Sequence, residues 1–109
     1  MNNLEQQIDT ILIQLGFDFH SQYHTNGKIL DFADPLNKIA IEVQGTYWHG
    51  HPLSSDKNKR KKQAKNHIKL KQLEKVGWKI ITIWEHSIKR NPNKVKKHLE
   101  QEILKRMVI

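Results

Sequence analysis

Apolar residues recur at regular intervals through most of this 109-residue chain and predict its helices and strands. Near the N-terminus they fall three or four residues apart and are followed by Gly16, which predicts a first helix over about residues 2–15 with a glycine cap. Weak alternation on both sides of Asn26-Gly27, a dipeptide typical of two-residue hairpin turns, predicts antiparallel strands over about 19–25 and 28–33. The inward face of the first helix is predicted to carry Leu4, Ile8, Ile11, Leu12 and Leu15.

Two further strands are predicted from apolar runs. The run WKIITIW at 78–84 is continuously apolar, which predicts a strand buried on both sides. The segment KIAIEVQG at 38–45 alternates instead, with one face formed by Ile39, Ile41 and Val43 and the other by Ala40, Glu42 and Gln44. A helix is predicted between these two strands, so we expect them to be parallel neighbours.

That intervening helix is predicted to begin after a loop containing Pro52, Ser54, Ser55 and Asp56 and to end near Val76, before Gly77. Its inward stripe is predicted to be Ala64, Ile68, Leu73 and Val76, with Leu70 off the stripe. A last helix begins at Asn91-Pro92, a cap followed by a first-turn proline, and its predicted inward residues are Val95, Leu99, Ile103, Leu104 and Met107.

The predicted order is therefore α-β-β-β-α-β-α within one domain over residues 1–109. It describes an α/β fold with a mixed central sheet of about four strands flanked by helices. The chain has no cysteine, which excludes disulfides, thiolate zinc sites and a cysteine nucleophile. No segment approaches the roughly 20 apolar residues that cross a bilayer, so we expect a soluble protein without a membrane partner.

The net charge of +8 is unevenly distributed. Residues 1–56 hold seven acids and two bases, whereas residues 57–109 hold seventeen bases and four acids. This asymmetry favours a carboxylate site that a basic surface brings to a polyanion such as nucleic acid. The alternative is that the lysine-rich helix is merely a solvated surface.

Two carboxylates, Asp31 and Glu42, fall on neighbouring predicted strands joined by a short connection. Both are predicted to point away from the main apolar residues of their strands, which are Leu30 and Phe32 in one and Ile41 and Val43 in the other. Adjacent carboxylates repel each other and lose hydration, and a divalent cation relieves both penalties. Hard oxygen ligands suit Mg²⁺. The alternative is that one acid pairs with a lysine such as Lys38 while the other lies at an exposed sheet edge.

Glu5 and His49 could complete such a site. Glu5 lies almost on the helical azimuth of Leu12 and can lean towards the sheet, although a first-turn glutamate also stabilises the helix dipole. His49 follows the strand that carries Glu42, and a histidine near a metal-bound phosphate can act as a general base. A packed or surface role for His49 remains open, and the pair His49 and His51 is a weak zinc signal.

The run DF at 31–32, the segment KIAIEVQGTYWHGH and the ending KLKQLEKVGWKIITIWEHSI together resemble the very-short-patch-repair (Vsr) mismatch endonucleases and the Vsr-like domains of phage and homing endonucleases. The resemblance extends from Glu5 to about Ile88. It implies the PD-(D/E)XK, restriction-endonuclease-like fold and hydrolysis of DNA phosphodiester bonds. Its most specific parts are the glycine, aromatic, tryptophan and histidine string and the GW…IWE ending.

Carried over by position, the resemblance implies that Asp31 is the principal metal ligand and that the Val43 carbonyl completes the site. Glu42 is implied as a second ligand, His49 as the general base and Glu5 as an assisting carboxylate. Tyr47 and Trp48 match aromatics that wedge into the base stack in the mismatch enzymes.

The chain departs from the family pattern at two positions. Gln44 stands where the broader motif has a lysine, and Asn66 stands where the family pattern has an acid, for which Asp56 could substitute. The structural zinc of the mismatch enzymes is not expected, since its cysteines are missing. These departures favour a Vsr-like cleavage domain that acts on another DNA target.

The expected activity is Mg²⁺-dependent cleavage of double-stranded DNA, with Mn²⁺ as a substitute ion, in the cytoplasm or nucleoid of a bacterial or phage-infected cell. Specificity is expected to need a homo-oligomer or a fused DNA-recognition domain. Two alternatives stay open: a catalytically degenerate DNA-binding module on the same fold, and an RNA-directed nuclease. Backbone phosphates are expected to contact the basic residues Lys57, Lys59, Arg60, Lys61, Lys62, Lys65 and Lys69.

Overall fold

The computed structural model describes residues 2–45 and 57–107 of the protein. The predicted order is confirmed, with one additional helix of six residues that directly follows the last strand. This helix was not predicted because it is too short to show a helical repeat of apolar residues. The elements are α1 (Asn3–Leu15), β1 (His20–Thr25), β2 (Lys28–Asp34), β3 (Ile39–Gln44), α2 (Lys57–Lys75), β4 (Lys79–Trp84), α3 (Glu85–Arg90) and α4 (Pro92–Arg106).

The four strands form one mixed sheet in the order β1-β2-β3-β4. Antiparallel pairing joins β1 to β2 and β2 to β3, whereas β3 and β4 are parallel. The parallel pair arises because α2 carries the chain back to the start of the sheet, as predicted from the helix between the two strands. Consequently the C-terminal ends of β3 and β4 lie side by side.

Local turn and cap signals act as the sequence predicts. Asn26 and Gly27 both have positive φ, 47° and 74°, which is the backbone of a primed two-residue turn. Gly16 ends α1 in the left-handed region with φ 79°. The Asn91 side chain accepts a hydrogen bond from the Lys94 N–H at 3.1 Å and caps α4.

Two apolar clusters cover the two faces of the sheet. The larger contains the buried residues of α1 and α4 packed on Phe32 and Ile41, which confirms the inward face predicted for α1. The smaller lies under α2 and is formed by Leu30, Ala33, Ala40, Leu70, Leu73 and Trp78. The sheet is therefore the middle layer, with α1 and α4 on one side and α2 on the other.

The predicted inward stripe of α2 is wrong except at Leu73. Leu70 is buried beside Leu73, whereas Ile68 and Val76 are 55% and 51% exposed and Ala64 is also exposed. The lysine-rich helix has so few apolar residues that several helical phases fit them equally well. Only contact with the small cluster decides which phase faces inward.

Two other predictions of burial are also corrected. The fourth strand is not buried on both sides, because β4 is an edge of the sheet that the described residues form and Thr82 is exposed. In α4, Val95, Leu99 and Ile103 are buried as predicted, and Met107 is half-buried against the larger cluster. Leu104 is 55% exposed because it lies one residue beyond the i, i+4, i+8 stripe.

Among the described residues, no helix has the combined length and apolar character needed to cross a membrane.

The two leucines of α4 give a matched test of this packing. Leu99→Ala is expected to lower the free energy of unfolding by about 2–5 kcal/mol, because it leaves a cavity in the larger cluster. Leu104→Ala is expected to change it by less than about 1 kcal/mol, because that side chain is largely in water. Urea unfolding followed by circular dichroism measures both values, and equal losses would contradict the assigned face.

Candidate active site

The ladder between β1 and β2 is interrupted in its middle. Pairs are formed at Ser21↔Phe32 and at Tyr23↔Leu30, but the intervening pair of Gln22 and Asp31 is absent from the register. Gln22 has φ 51°, in the left-handed region that non-glycine residues seldom adopt. The irregularity reverses the alternation of side chains on both strands at this point.

This interruption corrects the predicted faces of β2. Leu30 and Phe32 were expected on one face, but Leu30 lies in the small cluster and Phe32 in the larger one. Asp31 occupies the position where the alternation changes, so it is not fixed to one apolar face. The prediction for β3 is confirmed, because Ile41 and Val43 pack with the larger cluster while Ala40 packs with the small one.

The carboxylates of Asp31 and Glu42 each accept a hydrogen bond from the backbone of the other's strand. The Asp31 N–H donates to Glu42 Oε1 at 3.2 Å, and the Val43 N–H donates to Asp31 Oδ2 at 2.8 Å. The register between β2 and β3 is formed from Phe32↔Ile41 to Asp34↔Ile39, so these bonds begin where that register stops. In the hydrogen bonds between β2 and β3 at this point, carboxylate oxygens thus replace backbone carbonyls as acceptors. These bonds hold both acids at the end of the sheet.

Lys28 is a member of the site that the sequence analysis did not identify. Its ammonium nitrogen lies 3.5 Å from Glu42 Oε2, and the two side chains are only 10% and 5% exposed. It stands at the start of β2, just after the hairpin, where a lysine usually indicates a solvated strand end. The signal that could have found it is the antiparallel pairing of β2 with β3, which brings the start of β2 alongside the end of β3. The predicted alternative that one acid pairs with a lysine is therefore confirmed for Glu42, with Lys28 as the partner. The example given, Lys38, donates to the Val76 carbonyl at 3.0 Å instead, and Asp31 is half-buried rather than exposed.

The electrostatics of the pair follow from its burial. Burial, followed by the neighbouring charge of Asp31, raises the pKa of Glu42 to about 7 against the opposing effects of Lys28 and of the hydrogen bond from the Asp31 N–H. Burial also raises the pKa of Asp31, while the hydrogen bond from the Val43 N–H and the charge of Lys28 act in the opposite direction. The pair therefore binds a proton near neutral pH unless another cation takes its place.

Glu5 reaches the same region from α1. Its Oε2 accepts a hydrogen bond from the Gln22 side chain at 3.0 Å, which ties the helix to the irregular position of β1. Burial raises the pKa of Glu5, and the charge of Asp31 contributes next. Glu5 also meets the alternative expectation for a first-turn residue, since its N–H is capped by Asn2 Oδ1 at 2.9 Å.

Three other predicted site residues surround the acids. The Val43 backbone is at the site through its N–H, and the metal-ligand role of its carbonyl stays a prediction. Gln44 is buried at the end of β3, two residues after Glu42. Asn66 is half-buried and shares the helical face of Leu70 and Leu73, so it lies towards the sheet face that carries Glu42.

Several predicted residues lie outside the described part of the chain. These are Tyr47, Trp48, His49, His51 and Asp56, together with the side chains of Lys57, Lys59, Arg60 and Lys62. Of the remaining lysines of α2, Lys61 and Lys65 are exposed. Lys69 instead donates to the Gly27 carbonyl at 3.0 Å and ties α2 to the hairpin.

The donor set suits a hard divalent cation. Asp31 and Glu42 present carboxylate oxygens from adjacent strands, and both have a raised pKa. Within residues 2–45 and 57–107, no group of three or more histidine, aspartate or glutamate side chains converges on one point. The described residues therefore offer a two-carboxylate site with open positions rather than a closed metal cage.

The raised pKa of Glu42 predicts a specific pH dependence of stability in EDTA. The folded state holds this proton more tightly than the unfolded chain, in which the pKa is near 4.5, so stability is lost as pH rises through about 7. Relative to Glu42→Gln, the wild type is expected to lose about 3 kcal/mol of unfolding free energy between pH 4.5 and pH 8. Urea unfolding at several pH values measures this difference. Glu100→Gln, at an exposed position of α4, is the control, and a flat Glu42→Gln difference would contradict the burial of this charge.

Comparisons with known proteins agree with this architecture. The protein has the fold of the homing endonuclease I-Bth0305I catalytic domain, with a TM-score of 0.77 and 24% sequence identity over 99% of this chain and 100% of that chain. A search of curated proteins found no match. The family model REase_MTES_1575 matches residues 4–103, which include both acids and all four strands. The chain therefore belongs to the REase_MTES_1575 family, a restriction-endonuclease-like family of the PD-(D/E)XK type.

Proposed function

We propose that the protein is a metal-dependent endonuclease that hydrolyses phosphodiester bonds of double-stranded DNA, as a Vsr-like catalytic domain of the kind found in homing endonucleases. The observation that carries the proposal is the buried pair of Asp31 and Glu42, held by reciprocal hydrogen bonds at the sheet end. Such a pair is stabilised by a cation, and the restriction-endonuclease-like family supplies the reaction class.

Asp31 and Glu42 would hold Mg²⁺, or Mn²⁺ in its place, with the Val43 carbonyl as a further oxygen ligand. A bound ion of this kind polarises a phosphate oxygen and neutralises charge that develops during hydrolysis. No zinc is part of the proposal, because the chain lacks cysteine.

The chain's own groups set up this chemistry. The Val43 N–H fixes Asp31 Oδ2, so one oxygen of that carboxylate is oriented while the other is left to bind a ligand. Lys28 places a positive charge beside Glu42 and, in this proposal, takes over the electrostatic role that the lysine of the broader motif has at position 44. His49 is the proposed general base that accepts the proton of the attacking water, with Glu5 assisting.

DNA would be drawn to this site by the basic residues of α2, which contact backbone phosphates without reading sequence. Tyr47 and Trp48 are proposed to wedge into the base stack. A second subunit or a fused recognition domain would supply target choice, and the proposed setting is a bacterial or phage-infected cell.

A second candidate function is DNA binding without cleavage, favoured by Gln44 and Asn66. Both positions carry an amide where the related enzymes carry a charged group, and the structure places Gln44 two residues after Glu42 on the same strand. Binding would then persist in Mg²⁺ or Mn²⁺ without any strand break. Cleavage of RNA is the third candidate, and a side-by-side assay on matched RNA and DNA separates it.

Asp31→Asn tests the catalytic proposal. This change removes a charge but keeps the shape of the side chain, so cleavage of supercoiled plasmid in Mg²⁺ is expected to fall by at least about 100-fold, because one carboxylate alone holds the ion poorly. Gel electrophoresis of nicked and linear products measures the rate.

Asp18→Asn is the matched control for this substitution, since Asp18 is exposed between α1 and β1 and is expected to leave the rate unchanged. An Asp31→Asn protein that cuts as fast as the wild type would exclude Asp31 from catalysis. Salt-sensitive binding by a wild-type protein that never cuts would favour the second candidate.

Lys28→Gln tests the electrostatic role proposed for the buried lysine. The cleavage rate at saturating protein is expected to fall by about 10-fold or more, because Glu42 loses the nearby positive charge that favours its ionised form. DNA affinity is expected to change by less than about threefold, since this side chain is buried rather than on the DNA-facing surface. Single-turnover cleavage and fluorescence anisotropy measure the two quantities separately.

Lys38→Gln is the control, because Lys38 donates to the Val76 carbonyl at the other end of β3. Lys28→Arg is expected to recover part of the rate by restoring the charge. If Lys28→Gln weakened binding as much as it slowed cleavage, Lys28 would be a binding residue rather than a positioning residue for the acids.

A further inference from the structure

A groove of about 670 Å³ lies where the end of β4 meets α3 and α4. None of the described site residues discussed so far lines it. Much of its polar lining comes from two short stretches that converge, His86 and Arg90 on α3 and, at the start of α4, its cap Asn91 with Lys94 and His98. These positions are four, three and four residues apart along their helices, so each helix turns one side towards the groove.

The groove is basic. Arg90 and Lys94 are exposed, and no ion pair among the described residues involves either of them. Two acids of the same helices have ion-pair partners outside the groove, since Glu85 pairs with Lys89 at 2.8 Å and Glu102 pairs with Arg106, although Glu102 also interacts with the charge of His98. No acid is among the described residues that line the groove. The described lining therefore presents Arg90 and Lys94 without a carboxylate of its own.

Part of the lining is already ordered. The ring of His86 stacks on Trp84, with centroids 6.2 Å apart and an angle of 28° between the planes. Asn91 is fixed by its capping bond to the Lys94 N–H. The side chains that would meet a ligand thus stand on short rigid elements, which lowers the entropic cost of binding.

The groove opens at the same end of the sheet as the carboxylates. Parallel pairing places Glu42 beside Thr82 and Gln44 beside Trp84, and both Thr82 and Trp84 line the groove. Strands are about 4.8 Å apart, so β4 lies about 10 Å from Asp31 on β2. This distance corresponds to about three nucleotide steps of 3.4 Å along a DNA helix axis.

We infer that this groove binds backbone phosphates of one DNA strand, a few nucleotides from the bond that is cut. The inference rests on the proposed function and adds a second contact surface to α2. Because α2 covers one face of the sheet and α4 the other, helices that carry basic residues lie on both sides of the sheet that holds the carboxylates. A strand passing the sheet end would be held on each side of the acids, which positions the phosphate between them.

The test compares charge removal inside and outside the groove. Wild-type protein and the double variant Arg90→Gln/Lys94→Gln are titrated onto a fluorescein-labelled 30-base-pair duplex in EDTA, at several salt concentrations. The groove variant is expected to bind about 10-fold more weakly. Its plot of log affinity against log salt is expected to be shallower by about 2, since each lost phosphate contact removes about 0.9.

Two further double variants control for net charge and folding. Lys97→Gln/Lys105→Gln removes the same charge at exposed positions of α4 that do not line the groove, and is expected to keep the slope and to weaken binding less than about threefold. Arg90→Lys/Lys94→Arg keeps the charge inside the groove and is expected to behave like the wild type. Circular dichroism checks that all variants are folded.

The outcomes separate this inference from the proposed function. Equal slopes for the groove variant and the Lys97/Lys105 variant would overturn the groove as a phosphate site, even if the wild type cuts DNA. The wild type could instead fail to cut DNA while its salt slope still decreases when the groove charges are removed. That result would support the groove as a phosphate site and overturn the proposed nuclease activity. Tighter, groove-dependent binding of a matched RNA would overturn DNA as the occupant, and a wild type without salt-dependent binding would overturn the inference outright.

Discussion

The structure depends on how Asp31 and Glu42 are buried at one end of the sheet. Removing a carboxylate from water costs several kcal/mol, and two adjacent carboxylates add their mutual repulsion. Each acid recovers part of this cost by accepting a backbone N–H from the opposite strand, and Glu42 gains Lys28 as well. The recovery is incomplete, which is why burial raises the pKa of both groups. The site therefore favours a proton or a cation, and a divalent ion satisfies both acids at once.

The irregularity in β1 and β2 is the structural counterpart of this charge. A regular antiparallel ladder would bury Asp31 against one apolar face, but the missing pair at Gln22 and Asp31 frees the acid from that face. Glu5 on α1 reaches the same place through Gln22, so the helix and the distorted strands support one another. Backbone irregularities of this kind are frequent beside active sites, where they redirect a side chain. In this protein the redirected side chain is the one proposed to bind the metal.

Lys28 changes how the departures from the family pattern are interpreted. Gln44 lacks the positive charge that the broader motif has at this position, yet the structure supplies one beside Glu42 from the other strand. The site is thus less depleted in charge than its linear motif suggests. On a larger scale the same principle holds, because basic side chains of α2 and of the groove between α3 and α4 surround an acidic centre and oppose its repulsion of a polyanion.

The order of elements, the hairpin at Asn26-Gly27, the caps at Gly16 and Asn91, and the parallel pairing of β3 with β4 could all be predicted from the residues alone. Each depends on local conformation or on a strong apolar period, which short segments carry within themselves. The sequence also identified Asp31 and Glu42 as neighbours, since a short turn joins their strands. Only the tertiary structure decided the inward face of α2, the exposure of Leu104 and Thr82, the reversal of faces at Asp31 and the approach of Lys28. Those features depend on which surfaces meet and on where a ladder breaks, and neither is encoded in the spacing of residues along one element.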